Sequence, residues 1–265
     1  MKSISSRQHP LVKAFRALAA DSDPKGARLL LDGVHQVRDA IAAGVALDTI
    51  AVAASRLSDD SEEGRVAREA ERFGTKVVSV TAAALSAVSP VRSPSGIVAI
   101  ATREPVTAAA VCGIDNGFVV AAVDVQDPGN VGSLIRAAEA GGASGVLVCG
   151  ASANPFSWKA LRGSMGSALR FPVVHGLSAH DALGCAKRFG ARTVAAVPAC
   201  GKNPDDIDWT GRVVLMLGGE GGGLDASTIA HCEERVTIPM AAPVESLNVA
   251  VAGGILVYAA RRQRT

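Results

Sequence analysis

The chain has 265 residues, of which 48% are hydrophobic and only 3% aromatic, and its formal net charge is +2. This length fits two domains on a prior of roughly 100–200 residues per domain, and the hydrophobic share is enough for a full core of small aliphatic side chains. No apolar run reaches the roughly 18 residues of a membrane span, and the start lacks the apolar stretch of a signal peptide, so we expect a soluble, cytoplasmic protein.

The first 16 residues form a basic segment, because they include Arg7, His9 and Lys13 but no acidic residue. Such a segment can be a phosphate-facing patch or an ordinary solvated helix face, and charge alone does not distinguish the two.

From Gly26 to about Thr102, apolar runs typical of strands alternate with helical patterns. The predicted strands are Ala27–Leu31, Thr49–Ala53, Lys76–Val80 and Gly96–Ala101, and the predicted helices are Gly33–Ala43 and Ser61–Phe73. Residues 1–103 are therefore predicted to form a small α/β domain. Residues 104–116 contain Pro105 and a run of small residues, which is typical of a linker.

A second alternation of strands and helices fills residues 117–265. The predicted strands are Phe118–Val125, Gly145–Cys149, Thr193–Val197, Val213–Leu217 and Arg235–Ile238. The predicted helices are Val131–Ala140, Phe156–Ala168, Ala179–Phe189, Ala226–Cys232 and Asn248–Arg261. Continuous aliphatic strands interleaved with helices are typical of a parallel sheet covered on both faces. Ligands bind such sheets beyond the carboxyl ends of the strands, so the loops there are the candidate site.

The five cysteines are scattered through the chain, with no C-x-x-C pair and no histidine at ligand spacing from any of them. We therefore expect neither a zinc site nor a disulfide framework. Cys149 lies in an aliphatic run and is interpreted as a small core residue.

The first candidate loop, Asp124–Arg136, leaves a strand and enters a helix that Asn130 is predicted to cap. Arg136 lies off the apolar stripe of this helix, and its neighbours one turn earlier are too small to cover it. An arginine in this position can reach a bound anion, or it can be a surface residue paired with Glu139.

The second candidate loop, Leu217–Leu224, has five glycines in six residues, so the backbone turns sharply or approaches a ligand closely. It matches neither a Walker A loop nor the G-x-G-x-x-G fingerprint, which disfavours a phosphate cradle. Glu220 within it could accept hydrogen bonds from hydroxyl or amine groups. A simple flexible turn is the alternative.

The third candidate loop runs from Ile238 to Asn248 and contains two prolines. Ser246 or Asn248 can cap the long helix that follows. The apolar side chains of the loop, including Met240 and Leu247, would suit an adenine ring.

Together these loops resemble the SpoU (TrmH-like) branch of the SPOUT RNA methyltransferases. The motifs N-x-G-x-x-x-R, G-x-E-G-x-G-L and I-P-M-x-x-x-x-x-S-L-N-V occur in this order over roughly Phe118–Tyr258. The first hundred residues are similar to the family's amino-terminal RNA-binding domain, which resembles a ribosomal protein of the L30e type. The segments that carry this second similarity are Ile4–Lys13, Leu31–Val34 and Ser95–Ala99.

The resemblance implies an α/β fold whose parallel sheet ends in a carboxyl-terminal trefoil knot, with the second and third loops wrapped around S-adenosylmethionine. The residues that it places at the cofactor are Gly218, Gly219, Ile238, Met240 and Leu247. The residues that it places in the catalytic pocket are Asn130, Arg136, Glu220, Ser246 and Asn248. The chain departs from the family at Gly219, often Asn or Ser, and at Ala250, often Ser, so a hydroxyl or amide near the cofactor is missing at each position.

The implied reaction is methyl transfer to a ribose 2′-hydroxyl of RNA without a metal, with ribosomal RNA preferred to transfer RNA. The implied assembly is a homodimer in which the terminal helix and the first-loop helix form the interface. The predicted RNA contacts are Arg7, His9, Lys13, Arg162 and Ser164, although the last two could lie on an ordinary amphipathic helix. A nucleotide-binding oxidoreductase and a non-catalytic RNA-binding module are the competing interpretations. The chain lacks the early glycine fingerprint expected of such an oxidoreductase. The intact catalytic motifs argue against a non-catalytic module.

Overall fold

A computed structural model of the chain describes residues 3–58 and 60–264, which divide into two compact units. Unit 1 contains the described residues up to Pro105 together with Phe156–Arg170, and unit 2 contains Val106–Pro155 together with the described residues from Phe171 onward. No helix within these described residues has the length and apolar character that a membrane crossing requires.

The helices are α1 (Pro10–Ala20), α2 (Val34–Ala42), α3 (Glu62–Arg72), α4 (Ala82–Val88), α5 (Ala108–Cys112), α6 (Pro128–Ala140), α7 (Trp158–Ser164), α8 (Ser167–Arg170), α9 (Ala179–Arg188), α10 (Ala226–His231) and α11 (Val249–Arg264). The strands are β1 (Arg28–Asp32), β2 (Ala46–Ala53), β3 (Lys76–Val80), β4 (Ile97–Thr102), β5 (Phe118–Val123), β6 (Gly145–Cys149), β7 (Val173–Leu177), β8 (Arg192–Ala196), β9 (Val213–Gly218) and β10 (Glu234–Val236). Short 3₁₀ helices occur at Ala54–Arg56 and Pro204–Asp206.

Unit 1 is built on a mixed four-stranded sheet in the order β1-β4-β2-β3. Strand β4 is antiparallel to both of its neighbours, whereas β2 and β3 are parallel. Helices α1 and α4 cover one face, where Phe15 of α1 and Val88 of α4 pack with Leu30 and Val98 of the sheet. The four strands expected from the sequence are confirmed, but α1 and α4 were not predicted.

The segment Phe156–Arg170 folds differently from the single helix expected over residues 156–168. It forms α7 and α8, separated by Met165 at a φ of 49° and Gly166 at a φ of 83°. A Cβ on Gly166 would lie 2.5 Å from an Asp39 carboxylate oxygen, so the break lets this segment approach α2 closely. Phe156 is buried, and the Arg103 guanidinium stacks 4.1 Å from the centre of its ring.

Unit 2 contains a six-stranded sheet in the order β10-β8-β9-β5-β6-β7, and every neighbouring pair is parallel. The predicted parallel sheet is therefore confirmed, with β7 as an additional edge strand. Cys149 is completely buried in β6, as expected for a core residue, and burial raises the pKa of its thiol to about 12. The stretch 104–116 carries α5, whose Val111 and Cys112 are buried against this sheet.

Helix α11 packs closely on α6. A Cβ on Gly253 would lie 2.3 Å from Leu134 Cδ1, and one on Gly141 would lie 2.0 Å from Val257 Cγ1, so both glycines are needed for the close approach. The end of α11 is tied down by Gln263, whose side chain accepts from the Trp209 amide at 3.0 Å and donates to the Ile207 carbonyl at 2.9 Å. The packing holds α11, and with it the residues at its amino end, against the sheet.

Candidate active site

The three candidate loops lie at the carboxyl edge of the parallel sheet in unit 2. The first loop follows β5, the second follows β9 and the third follows β10. Because β5 and β9 are neighbours in the sheet, their loops emerge side by side. The sequence order of the motifs thus becomes a spatial cluster through the topology of the sheet.

A chain of hydrogen bonds joins the three loops. The Asn130 side-chain amide donates to Glu220 Oε1 at 2.5 Å, and Asn130 Oδ1 accepts from the Asn248 amide at 3.0 Å. Asn248 Oδ1 in turn accepts from the backbone amides of Ala250 and Val251 at 2.9 and 3.3 Å. Each asparagine therefore has its donor and its acceptor used in fixed directions, which orients both amides and the Glu220 carboxylate.

The predicted cap of α6 was wrong. Asp127, not Asn130, precedes the helix, and its carboxylate accepts from the Asn130 backbone amide at 2.8 Å. Pro128 takes the first helical position, where the missing N–H costs nothing. With the cap supplied by Asp127, the Asn130 side chain is free to bind Glu220 and Asn248. At α11, Asn248 and not Ser246 provides the cap, so one of the two predicted alternatives is confirmed.

A cavity of about 620 Å³ opens beside this hydrogen-bonded chain, which is within the range of small-molecule sites. All five predicted cofactor residues lie in or beside its wall. The lining residues are Ala196, Val197, Pro198, Leu217, Gly218, Gly219, Glu220, Gly221, Gly222, Gly223, Leu224, Ile229, Val236, Ile238, Met240, Ser246, Leu247, Asn248, Val249, Ala252 and Leu256. The wall is mostly aliphatic, and the glycine loop exposes peptide groups to it, which fits an adenosine whose ring is apolar and whose edge forms hydrogen bonds.

The glycines of the second loop are required by backbone contacts. A Cβ on Gly218 would lie 2.1 Å from the Gly223 carbonyl carbon, and one on Gly219 would lie 1.9 Å from the Asp124 carbonyl oxygen. No side chain fits at either position without moving backbone atoms. In this chain, the close approach of the first and second loops leaves no room at position 219 for the Asn or Ser that the resembled family often has there.

Arg136 is exposed on α6, six residues beyond Asn130, and takes no part in the hydrogen-bonded chain of the described residues. Ser246 is also exposed and lines the cavity. The structure therefore brings Asn130, Glu220 and Asn248 into direct contact, and it leaves Arg136 and Ser246 accessible to a ligand. Within residues 3–58 and 60–264, no group of three or more acidic, histidine or cysteine side chains could hold a metal ion.

The predicted RNA contacts all fall in unit 1. Arg7, His9 and Lys13 are exposed, and His9 Nδ1 also accepts from the Leu11 amide at 3.2 Å and caps α1. Ser164 is completely buried and donates to the Leu161 carbonyl at 2.9 Å, so it has no exposed atom for RNA.

Arg162 is exposed and lies near Asp32. Burial raises the pKa of Asp32, and the charge of Arg162 acts in the opposite direction. Arg7, His9, Lys13 and Arg162 are thus exposed and stay predicted RNA contacts.

Sequence reasoning missed the contribution of β8 to the cavity. Ala196, Val197 and Pro198 line it from the end of that strand. The signal was present, because β8 was predicted, and its end faces the same edge of the sheet as the three loops. The end of β8 has no polar side chain, so it presents no candidate chemical group in the sequence.

Comparison with known proteins agrees with this geometry. The model of the SpoU rRNA Methylase family matches residues 117–258. An uncharacterized tRNA/rRNA methyltransferase of Synechocystis sp. is 33% identical over 99% of this chain and 94% of its own. The 23S rRNA (guanosine(2553)-2'-O)-methyltransferase RlmP of Bacillus subtilis is 30% identical over 97% of this chain and 98% of its own.

A solved structure, the AdoMet-bound rRNA methyltransferase from Sinorhizobium meliloti, superposes with a TM-score of 0.86 at 28% identity and covers 100% of this chain and 98% of its own. The motifs, the parallel sheet and the site between its loops thus agree with matches that extend over more than half of the chain, and the chain belongs to the SpoU family of RNA methyltransferases.

Proposed function

We propose that this protein transfers a methyl group from S-adenosylmethionine to a ribose 2′-hydroxyl of ribosomal RNA. The observation that carries this proposal is the Glu220–Asn130–Asn248 chain, held at 2.5 and 3.0 Å beside a cavity of about 620 Å³. RlmP is named for 2′-O-methylation of 23S rRNA, and the Sinorhizobium meliloti structure is named as an AdoMet-bound rRNA methyltransferase. The name of the Synechocystis relative includes transfer RNA as well, which makes it the second candidate substrate.

The cavity suits the cofactor. Ile238, Met240 and Leu247 offer the adenine ring an apolar wall, and the peptide groups at Gly218 and Gly219 lie where they can pair with polar edges. Bound S-adenosylmethionine supplies a methyl group on a positively charged sulfur, which an oxygen nucleophile can attack. We also propose that the chain forms a carboxyl-terminal knot and that unit 1 is an L30e-like domain.

The polar residues would then act on the acceptor. Asn130 and Asn248 are fixed by their mutual hydrogen bond and would orient the ribose, while Glu220 holds Asn130 in place. Arg136 cannot serve easily as a base, because its pKa lies above roughly 12. Its planar guanidinium would instead stabilise the negative charge that develops on the ribose oxygen and anchor the adjacent phosphate. Ser246 would contact the ribose from the third loop.

The test is methyl transfer from radiolabelled S-adenosylmethionine to ribosomal RNA that lacks the modification, with transfer RNA assayed in parallel and the product mapped as a ribose methylation. Leu247→Asp should lower cofactor affinity by at least on the order of 10-fold, because the carboxylate would lie against the adenine wall. Ile114→Asp, in unit 2 at a site of similar exposure (39% against 37%) that does not line the cavity, is the matched control. Binding in EDTA by calorimetry gives the affinities. If the wild-type protein binds no cofactor at millimolar concentration, the proposed function is wrong.

A homodimer in the cytoplasm is the proposed assembly and location. Val251, Ile255 and Tyr258 form an apolar stripe on α11 and are 52%, 42% and 50% exposed. Their spacing places them on one helix face, as a helix–helix interface requires.

In the full-length protein, Ile255→Asp should halve the mass measured by light scattering at micromolar concentration, because it would bury an unpaired charge. Phe73→Asp, at a site in unit 1 that is 79% exposed, should leave the mass unchanged. A wild-type monomer, or a dimer that survives Ile255→Asp, would contradict an interface at this stripe.

A further inference from the structure

Asp124 lies at the end of β5, where the first site loop leaves the sheet, and its backbone conformation is unusual. It follows β5 directly and adopts a φ of 56°, in the left-handed region that few residues other than glycine occupy. Asp and Asn tolerate this region better than other side chains, because their short polar groups can bond locally. The Asp124 carboxylate does so: Oδ1 accepts from the Ala151 amide at 2.7 Å.

Two glycines lie against this aspartate. A Cβ on Gly150 would be 2.2 Å from Asp124 Oδ1, and a Cβ on Gly219 would be 1.9 Å from the Asp124 carbonyl oxygen. The side chain of Asp124 thus fits against the loop after β6, and its backbone fits against the loop after β9. One residue thereby fixes the spacing between both loops.

The turn at Asp124 also positions a backbone amide that donates a hydrogen bond to the Glu220 carboxylate. Two residues further on, the Gln126 backbone amide donates to Glu220 Oε2 at 3.2 Å. Between them, Val125 is completely buried, and its amide donates to Ser152 Oγ at 2.9 Å. The Glu220 carboxylate therefore has one oxygen on Asn130 and the other on Gln126, and the second contact depends on the direction in which the chain leaves Asp124.

We propose that Asp124 is a positioning residue that sets the orientation of Glu220 through the Gln126 amide and the Gly219 contact. Asp124 itself touches neither substrate nor cofactor in this role. The inference rests on the proposed function for its catalytic consequence, but the positioning can be measured without turnover.

The first measurement is amide hydrogen exchange at Gln126 in the full-length protein. Asp124→Ala removes the acceptor for the Ala151 amide and adds strain at positive φ, and Asp124→Gly removes the acceptor without the strain. Exchange at Gln126 should be faster in both variants than in the wild type. Asn116→Ala is the matched control, since Asn116 has a φ of 52° just before the opposite end of β5, away from the site. Unchanged exchange at Gln126 in both Asp124 variants would overturn the proposal.

The second measurement is single-turnover methyl transfer at saturating cofactor. Asp124→Ala and Asp124→Gly should each lower this rate by about 10-fold, because a small misorientation of a catalytic group is costly. Asp124→Asn should restore most of the rate, since its side-chain oxygen can still accept from Ala151. The double variant Asp124→Gly with Glu220→Ala should be no slower than Glu220→Ala alone.

Multiplicative losses in the double variant, or failure of Asn to rescue, would overturn the proposal. A wild-type protein that methylates no RNA would contradict the proposed function, and the hydrogen-exchange result would still decide the role of Asp124.

Discussion

Arg136→Ala is expected to lower the single-turnover rate of methyl transfer by at least on the order of 10²-fold while cofactor affinity stays nearly constant. The guanidinium is exposed on α6 and does not line the cofactor cavity, so its removal leaves the adenine wall and the glycine loop intact. The substitution removes the positive charge that would stabilise the negative charge on the reacting ribose oxygen and would anchor the adjacent phosphate. Arg136→Lys should not restore the rate, because a single ammonium cannot span two oxygen groups as a planar fork does.

Arg188→Ala on α9 is the control for a lost surface arginine, because Arg188 is also exposed and belongs to unit 2. It should leave the rate unchanged. If both Arg136 variants turn over at near the wild-type rate, Arg136 is a solvated surface residue. The proposed catalytic role of the first loop would then rest on Asn130 alone, and family membership would be unaffected.

Gly218→Ala is expected to weaken S-adenosylmethionine binding by on the order of 10- to 100-fold, because overpacking costs about 1–3 kcal/mol and each 1.4 kcal/mol is tenfold in affinity. The added methyl carbon would lie 2.1 Å from the Gly223 carbonyl carbon and 2.2 Å from the Leu224 amide nitrogen. Both are backbone atoms, so relief requires the whole loop to move. Calorimetric titration with the cofactor measures the loss directly.

Gly184→Ala makes the same chemical change on α9, outside the cavity lining, at a position where an added Cβ would meet nothing within 4 Å. Its affinity should match the wild type. Equal losses in the two variants would show that the effect is not specific to the second loop, and equal retention would show that the close approach at Gly218 does not shape the cofactor site.

The sequence predicted most of unit 2 because its strands are continuous aliphatic runs bounded by clear turns. The glycine loop and the two prolines of the third loop indicated which loops lie at the carboxyl edge of the sheet. The parallel topology then places these loops next to one another. The predicted pocket residues Asn130, Glu220 and Asn248 are in direct contact for that reason.

The remaining features depend on tertiary contacts that no local pattern records. Strand β7 was missed because it contains Gly176 at a φ of 84° and pairs irregularly with β6. Ser164 resembled a surface hydroxyl, yet it is buried where α7 ends. The Asp127 cap, in contrast, could have been predicted from the sequence, because an aspartate before a proline is common at the start of a helix. The prediction named Asn130 instead, because Asn130 belongs to the N-x-G-x-x-x-R motif of the first loop.

The membership of Phe156–Arg170 in unit 1 has a consequence for synthesis on the ribosome. Domains generally fold as units, the amino-terminal one first. Unit 1, however, lacks Phe156 and Leu161, which are 3% and 1% exposed, until the chain has been extended through Arg170. By then α5, β5, α6 and β6 of unit 2 have also been made. During synthesis, the core of unit 1 therefore stays incomplete until a segment that lies within the sequence of unit 2 has been made. For the same reason, truncating the chain at a single position cannot yield both units complete.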